Sequence, residues 1–231
     1  SEKLLWTFVD GDFLYFIDST YALYEYDLNN HKAYFIADME AEILRRGEVS
    51  SIIKQKTDYF IGFKSSGLIQ LKYMPDSKVK YSLQSINVQS GIFCLMKDRF
   101  QDIIWVGADG QGLYMYFTDE FSIDNIMLDV PEYRVDNPVR ALYQDQDQTL
   151  WIGTKGGGIL KMFDFHPDME TLPRAERILA SNSPLMDNSV YSFAPSRRKL
   201  LWIGTESGLN YYSYSQKRIQ EFPVMADGKM V

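Results

Sequence analysis

A short motif repeats along the chain and constrains its fold more than any other feature. An aromatic residue is followed by Ile or Val and then by Gly in four clear copies, whose aromatics are Phe60, Trp105, Trp151 and Trp202. A degenerate fifth copy, Tyr15-Phe16-Ile17-Asp18, lies upstream, and we align its Phe16 with the other aromatics. The spacings are then 44, 45, 46 and 51 residues. A period of this size indicates an array of one supersecondary unit, and such arrays usually present a binding surface.

Each repeat has the pattern of an antiparallel meander. In the clearest copy, runs of β-branched, aromatic and aliphatic residues at 139–144, 149–154 and 158–163 are separated by turn-forming residues. A weaker fourth strand follows in each repeat, at Lys32–Ile36, Lys80–Ile86, Ser122–Leu128, Glu176–Ala180 and Arg218–Phe222. Four strands per period of roughly 40–50 residues are typical of a β-propeller blade.

We therefore predict an all-β fold, a single β-propeller region over 1–231 built from four-stranded antiparallel blades. The five predicted blades cover approximately 1–38, 47–88, 90–130, 137–182 and 188–231. No long stretch keeps an apolar 3.6-residue period, so little helix is expected beyond one short turn within Met39–Arg46.

The recurring residues have predicted structural roles. The aromatic is expected to fill the space between adjacent blades, which assigns Trp105, Trp151 and Trp202 to packing. The Gly after Ile or Val is expected to let a neighbouring backbone approach closely or to permit a bulge. A second glycine group is expected to supply positive φ in the next turn: Gly67, Gly112, Gly157, Gly158 and Gly208. In the first copy Asp18 and Ala22 replace the two glycines, so its turns should be built differently.

These residues resemble the two-component regulator propeller repeat. The likeness is carried by Val139–Phe163, Val190–Tyr212 and Ile92–Phe117. The Asn-x-Val sequence that precedes such repeats is also present, at Asn137-Pro138-Val139 and Asn188-Ser189-Val190. The resemblance covers nearly the whole chain and is specific for the repeat family, but its motifs consist of packing and turn residues and so leave the ligand open.

The resemblance implies a function. Such repeats form the periplasmic sensor region of hybrid two-component systems in gut Bacteroidetes, attached through an inner-membrane helix to a histidine kinase and response regulator. It implies that the chain recognises an oligosaccharide and transmits binding to the kinase. The implied partners are the oligosaccharide, other domains of the same sensor and a second copy in a homodimer.

Members of that family are much longer than this chain. Five periods use up all 231 residues, no apolar stretch approaches the roughly 18–20 residues that span a bilayer, and no signal peptide precedes Ser1. We therefore expect a piece of a longer sensor, without direct membrane insertion. Five blades could close on themselves, or form an arc of a larger, seven-bladed ring. We favour the arc, which would expose two apolar blade faces.

Composition excludes some function classes. The chain has 31 acidic against 24 basic residues, which argues against nucleic acid and anionic membranes as partners. The lone Cys94 lies in an apolar run and is expected to be a small core residue. His31 and His166 lack a second His or Cys at metal-ligand spacing, which argues against a zinc site and a histidine-based triad.

Two other motifs have structural explanations. Asp145-Gln146-Asp147 has the alternating acids of a calcium loop, but its Gly and closing Glu are absent, so a solvated hairpin turn is favoured. Gly156-Gly157-Gly158 lies between two strands rather than before a helix, which favours a turn over a phosphate loop. We predict no cofactor and no metal.

A ligand site is predicted on one edge of the propeller. The turns between second and third strands share that edge with the segments leading into each blade, and their residues vary between repeats. The candidate ligand-binding residues are Tyr133, Arg134, Asp109, Lys155 and Glu206. Two alternatives remain open: a ligand-free scaffold for protein or dimer contacts, and a propeller hydrolase or lyase with paired carboxylates. We expect this chain not to be an enzyme.

Overall fold

The computed structural model describes residues 3–125, 134–166, 173–223, 225–226 and 229–230. Their strands form five four-stranded antiparallel sheets, each in simple meander order, and we name these sheets blades 1 to 5 in chain order. A short two-stranded ribbon follows blade 5. The predicted all-β fold with four-stranded blades is confirmed.

The strands of blades 1 and 2 are β1 Leu4–Asp10, β2 Phe13–Asp18, β3 Ala22–Asp27, β4 Lys32–Asp38, β5 Val49–Gln55, β6 Asp58–Phe63, β7 Leu68–Tyr73 and β8 Tyr81–Ile86. Those of blade 3 are β9 Ile92–Lys97, β10 Ile103–Ala108, β11 Leu113–Phe117 and β12 Ser122–Asn125. Blades 4 and 5 consist of β13 Val139–Gln144, β14 Leu150–Thr154, β15 Ile159–Met162, β16 Ala175–Ile178, β17 Val190–Ser196, β18 Leu200–Thr205, β19 Gly208–Ser213 and β20 Arg218–Phe222. The final ribbon is β21 Met225–Ala226 with β22 Lys229–Met230.

One short helix, α1 Glu40–Arg46, connects blades 1 and 2, within the segment where a helical turn was predicted. Acidic Glu40 and Glu42 occupy its first turn and basic Arg45 and Arg46 its last, which suits the helix dipole. Gly47 ends it with a φ of 83°, and its N–H donates to the Ile43 carbonyl oxygen.

The chain divides into two compact units, Ser1–Lys97 and Asp98–Val231, with the boundary after β9 in blade 3. In unit 1 the core lies between blades 1 and 2, where Tyr15 and Ile17 pack with Tyr59 and Ile61. In unit 2 a core lies between blades 4 and 5, where Trp151 packs with Leu201, Ile203 and Tyr212. In both units, therefore, the apolar face of one blade is covered by the next blade.

A cross-strand row through the repeated aromatic organises each blade. In blade 4 this row is Tyr143, Trp151, Lys161 and Glu176, one residue from each strand. We call the corresponding residues of any blade its aromatic row. Because directly opposed side chains share one face of a sheet, all four row residues of blade 4 lie on the same side of the blade. Trp151 shows that this side faces blade 5, since its ring lies 4.8 Å from that of Tyr212.

Strand pairing corrects the alignment of the first repeat. The first two strands of each blade pair with each other, and the last paired residue of the second strand is Asp18 in blade 1, Phe63 in blade 2 and Thr154 in blade 4. Three residues earlier stand Tyr15, Phe60 and Trp151, so Tyr15 and not Phe16 occupies the aromatic row. Tyr15 is buried against Tyr59, with ring centroids 6.0 Å apart. The alignment on Phe16 was wrong by one residue, and the first glycine of the motif is replaced by Ile17, not Asp18.

The predicted glycine roles are confirmed at several positions. A Cβ on Gly62 would lie 2.7 Å from Ile92 Cγ2, and one on Gly153 would lie 2.8 Å from Val190 Cγ1. The glycine thus lets the first strand of the following blade approach closely. Positive φ occurs at Gly67, Gly112, Gly158 and Gly208, and at Gly156 where Gly157 was expected. The turn of blade 1 is indeed built differently, because Asp18 Oδ1 accepts bonds from the N–H groups of Thr20 and Ala22.

The aromatic rows of blades 4 and 5 differ in what covers them. Trp151 is 1% exposed, whereas Trp202 is only half-buried and contacts Tyr211 and Phe222 of its own blade. Blade 5 therefore presents an apolar face with an exposed Phe222 at its margin. Blade 1 likewise carries an exposed Phe35 beside Tyr24.

This difference predicts unequal costs of truncation. We expect Trp151→Ala to lower the free energy of unfolding by about 4 kcal/mol, as for a fully buried aromatic, and Trp202→Ala by about 2 kcal/mol or less. Urea unfolding of both variants followed by circular dichroism measures the two values. Equal losses would contradict an uncovered face on blade 5.

Candidate functional site

The structure describes four of the five predicted ligand-binding residues, and Tyr133 lies outside the described residues. Asp109, Lys155 and Glu206 are exposed in the turns between the second and third strands of blades 3, 4 and 5. Arg134 is exposed and forms an ion pair with Asp136, with 2.7 Å between Nε and Oδ1.

These turns do meet the segments that lead into the blades. Asn137 Nδ2 donates to the Lys155 carbonyl oxygen at 3.0 Å, and Gly156 N–H donates to the Asn188 carbonyl oxygen at 3.1 Å. In blade 5, Ser207 Oγ donates to Asp187 Oδ2 at 2.8 Å. The shared edge on which the site was predicted therefore exists in unit 2. Ligand binding by its residues stays a prediction.

A concave site lies in unit 2 between the outer strands of blades 4 and 5. It has a volume of about 780 Å³, within the range of roughly 300–1,000 Å³ usual for small-molecule sites. We call it the Lys161 groove. Its described lining includes aromatic rings and charged groups, among them Trp151, Phe163, Tyr212, Tyr214, Lys161, Arg174, Glu176 and Arg177.

Lys161 lies in this groove because of its place in the aromatic row. On β15 it pairs with Trp151 on one side and Glu176 on the other, so its side chain must share the face that blade 5 covers. Its neighbours Ile159, Leu160 and Met162 are all buried. A lysine is thus placed inside an apolar contact between two blades.

Three rings surround the ammonium group of Lys161. Its Nζ lies 4.5 Å from the ring centroid of Trp151, 4.7 Å from that of Tyr212 and 4.9 Å from that of Phe163. Ring faces attract a cation, and the attraction is stronger where water is excluded. The side chain of Lys161 is 7% exposed.

One ion pair of Lys161 is seen, and it is loose. Glu176 Oε2 lies 3.5 Å from Nζ, and the side chain of Glu176 is 56% exposed. Burial lowers the pKa of Lys161, and the charge of Glu176 only partly opposes that effect. Burial likewise raises the pKa of Tyr212 on the opposite wall. The groove therefore holds a cation whose charge the protein compensates incompletely.

Asp145 lies in the turn between β13 and β14, next to the aromatic row of blade 4. Its Oδ1 accepts bonds from the N–H groups of Asp147 and Thr149, both at 3.0 Å. Its Oδ2 accepts bonds from the Trp151 indole at 3.0 Å and the Tyr214 hydroxyl at 3.2 Å. The predicted hairpin turn is present, but Asp145 is 4% exposed and not solvated. Both oxygens accept hydrogen bonds from protein donors, which is the arrangement of a structural carboxylate and not of a calcium ligand.

The same arrangement recurs in blade 3 and supports a structural role. Asp98 Oδ2 accepts bonds from the Trp105 indole at 2.8 Å and from Gln144 Nε2 at 2.9 Å. Its Oδ1 accepts bonds from the N–H groups of Phe100 and Gln101. A carboxylate after the first strand thus fixes the following tryptophan in two consecutive blades.

The upper wall of the groove is continuous with the predicted edge. Arg177 Nη2 donates to the Arg134 carbonyl oxygen at 2.7 Å, and its Nη1 donates to the Gly157 carbonyl oxygen at 3.2 Å. At the opposite end, the Arg174 guanidinium lies 4.1 Å from the ring centroid of Phe163. The two arginines thus bracket the groove along β16.

The sequence carries a signal for Lys161, although this residue is not among the predicted site residues. A charged residue within Ile159-Leu160-Lys161-Met162, directly after a glycine turn, interrupts a run that should be apolar. Counting across the hairpin from Trp151 places it in the aromatic row. The rows of other blades carry Met115 and Tyr211 at this position.

Comparisons with known proteins agree with this fold. Residues 134–156 match the sequence model of the family described as two component regulator propeller. That segment is therefore similar to one repeat of this family. The matched segment runs from Arg134 through β13 and β14 to Gly156, and so includes Asp145 and Trp151.

This chain spans less than a third of the length of the relatives that it matches. Histidine kinase P4 of Formosa agariphila is 24% identical over 181 residues, which cover 76% of this chain and 13% of the kinase. Two extracellular domains of hybrid two component systems from B. thetaiotaomicron superpose with TM-scores of 0.61 and 0.64. They are 20% and 13% identical, and the alignments cover 96% and 99% of this chain but 28% and 29% of theirs. At these identities the likeness establishes the propeller fold.

Two features are absent from the part of the chain that the structure describes. No helix there is long and apolar enough to cross a membrane. No group of three or more His, Cys, Asp or Glu side chains in the described ranges is arranged to hold a metal ion.

Because folding disfavours the charged form of Lys161, replacing it by an apolar residue should not weaken the fold. We expect Lys161→Met to raise the free energy of unfolding by about 1 kcal/mol at pH 7. The folded-state pKa of Lys161 lies below its ordinary value of 10.5, so the unfolded chain holds more protons between those values. Wild-type stability should therefore rise with pH in that window, and its difference from the variant should shrink.

Urea unfolding of both proteins between pH 7 and pH 10.5 measures this difference. Leu160→Met, on the opposite face of β15, is the control for placing a methionine in this strand without a change of charge. If Lys161→Met is less stable than wild type at neutral pH, and the difference in unfolding free energy does not change with pH, then burying this charge has no net cost.

Proposed function

We propose that this chain is the ligand-sensing propeller region of a hybrid two-component signalling protein, that it lies outside the cytoplasm in the periplasm, and that it recognises an oligosaccharide. The observation that carries the proposal is the Lys161 groove, a sugar-sized site between two blades of a regulator propeller array. The matched repeat describes a regulator and not a catalytic domain, which supports binding rather than turnover.

The relatives support the signalling role. One is a histidine kinase, and two are extracellular domains of hybrid two component systems. Since this chain spans 13% of the kinase and under a third of those domains, kinase activity would belong to other parts of a longer protein. The chain would then supply the part of the protein that meets the signal.

The groove has the chemistry that sugars require. Sugar rings pack their C–H faces on aromatic side chains, and Phe163 and Tyr214 are the partly exposed rings in its wall. Sugar hydroxyls need directional hydrogen-bond partners, which Arg174, Asn182 and Ser183 can supply. A few polar groups in a largely aromatic cleft are usual for a small-molecule site.

Signal transmission would follow from where the groove lies. Its walls belong to two blades, β15 and β16 on one side and the β19–β20 hairpin on the other. A ligand that contacts both walls favours one spacing of the two blades over another. Such a population shift would bias the domains joined to the propeller, including a kinase dimer.

The exposed face of blade 5 favours a second candidate function, as an interaction platform. Trp202, Tyr211 and Phe222 line a depression of about 540 Å³ there, with the Trp202 and Phe222 rings perpendicular and 5.0 Å apart. In blade 4 the equivalent Trp151 is covered by Phe193 and Tyr212 of the next blade. The same packing on Trp202 by a partner protein or a second copy of the chain would cover this face.

The proposal predicts saturable binding of an oligosaccharide in the groove. Isothermal titration of the chain against plant and host oligosaccharides should give micromolar affinity for at least one of them. Arg174→Ala removes the cation above Phe163 and should weaken that binding by about tenfold. The combined Tyr133→Ala and Arg134→Ala change tests the edge that the sequence predicted, and should leave the affinity within about twofold if the groove is the site.

Loss of binding in the edge variant alone would move the site to that edge and leave the sensing role intact. Absence of binding to every oligosaccharide tested would count against sensing and favour the interaction platform. Heat that continues after saturation, with new reducing ends in the product, would indicate a glycan hydrolase or lyase instead.

A further inference from the structure

The charge of Lys161 is not needed by the fold. In blade 3 the same row position holds Met115, a side chain of similar length without charge, buried opposite Trp105. In blade 5 it holds Tyr211 opposite Trp202. A propeller blade can therefore complete its aromatic row with an uncharged residue, and the lysine of blade 4 requires a separate explanation.

Blade 1 shows how a charge is fully compensated in this position. Its row places Glu25 opposite Tyr15. Both oxygens of Glu25 accept bonds from Lys54 Nζ, at 3.1 and 3.0 Å, and one also accepts the Tyr59 hydroxyl at 2.8 Å. A buried charge with this many partners is satisfied within the protein.

Among the described residues, Lys161 has no comparable set of partners. Its contact with Glu176 is 3.5 Å long, whereas a charge-assisted hydrogen bond is about 2.7–2.9 Å. Glu176 is on the outermost strand and more than half exposed, so water already solvates it and it can leave at low cost. The Lys161 ammonium group carries three hydrogen-bond donors. Two of the three rings around it, Trp151 and Phe163, have no oxygen atom that could accept a hydrogen bond.

The surroundings reinforce the positive charge. Among the described residues that line the groove, five are cationic and three are carboxylates, in a chain whose net charge is −7. One of those carboxylates, Asp145, accepts hydrogen bonds on both oxygens from the turn, Trp151 and Tyr214. The groove is therefore a locally electropositive site on an acidic protein, which favours an anionic ligand.

We propose that the ligand of the Lys161 groove is an acidic saccharide, and that its carboxylate takes the place of Glu176 at the Lys161 ammonium. This inference rests on the proposed oligosaccharide recognition and adds the class of sugar. The carboxylate enters the gap that Glu176 only partly fills, and Arg174 provides a second cation at the mouth of the groove. The neutral part of the sugar lies against Phe163 and Tyr214. Without ligand, the Glu176 carboxylate lies next to the Lys161 ammonium, and the ligand's carboxylate must displace it.

The exchange of carboxylates makes an unusual prediction, because two variants should shift affinity in opposite directions. With a galacturonic acid trimer as the probe, Lys161→Met should weaken binding by about 30-fold or more, the effect of removing one partner of a desolvated charge pair. Glu176→Gln should tighten binding a few-fold, since the competing charge is gone while the side-chain volume remains. A merely structural lysine would not produce opposite signs.

Isothermal titration of the 231-residue chain with three probes tests the inference: the galacturonic acid trimer, a neutral galactose trimer and a sulfated galactose trimer. Lys32→Met removes the same charge at an exposed site in unit 1 and serves as the control. Lys155→Met removes it on the edge predicted from the sequence. Circular dichroism confirms that each variant is folded, and Met115 in blade 3 shows that methionine fits the row.

The expected result is preference for the galacturonic acid trimer, lost in Lys161→Met and kept in Lys32→Met. Equal binding of the neutral trimer, unaffected by Lys161→Met, would overturn the inference and leave oligosaccharide recognition standing. Preference for the sulfated trimer would overturn the assignment of a carboxylate. Weakening by Lys155→Met but not by Lys161→Met would place the anion on the edge instead. Binding of none of the three probes would overturn the acidic-sugar inference, and the wider oligosaccharide panel would then decide the proposed function.

Discussion

Burial of the aromatic row by the next blade is the interaction on which the rest of this structure depends. Trp151 is covered by Phe193 and Tyr212, and Tyr15 by Tyr59. Each blade thus buries its largest side chain only when a neighbour is present, so stability resides in the contacts between blades rather than within them. The turn carboxylates Asp98 and Asp145 fix the tryptophans by accepting their indole N–H groups, which keeps the rows in one conformation.

The aromatic row also determines where a binding site can form between two blades. Every row has one third-strand position, and in blades 1 to 5 it holds Glu25, Gln70, Met115, Lys161 and Tyr211. Met115 of blade 3 is buried, and Glu25 of blade 1 accepts hydrogen bonds from Lys54 and Tyr59. Where the residue is Lys161 with one exposed partner, the outer strands leave a groove. A repeated scaffold can in this way acquire one specific site by changing a single register position.

Much of the fold followed from the sequence because its determinants are local. Turn residues and alternating apolar runs repeat every 44 to 51 residues, which was enough to predict four strands in each blade. A single helical turn was predicted within Met39–Arg46, and α1 lies there. The first repeat was misaligned because Tyr15 and Phe16 are both aromatic, and local pattern does not say which one faces the core. Only the pairing of Leu4 with Asp18 across a bulge decides it. Lys161 was missed for a related reason, since its burial comes from Trp151 across the hairpin and from Tyr212 in the next blade.

Blade 5 has an aromatic row that no other described blade in unit 2 covers. Its row of Trp202, Tyr211 and Gln220 has the composition of an inter-blade contact, and the Tyr211 hydroxyl donates to Gln220 Oε1 at 2.9 Å within the row. Among the described residues, the ring of Trp202 packs on Tyr211 and Phe222 of its own blade. Blade 5 thus keeps the repeated aromatic, Trp202. The contact with a following blade, which buries the equivalent Trp151 in blade 4, is not seen among the described residues.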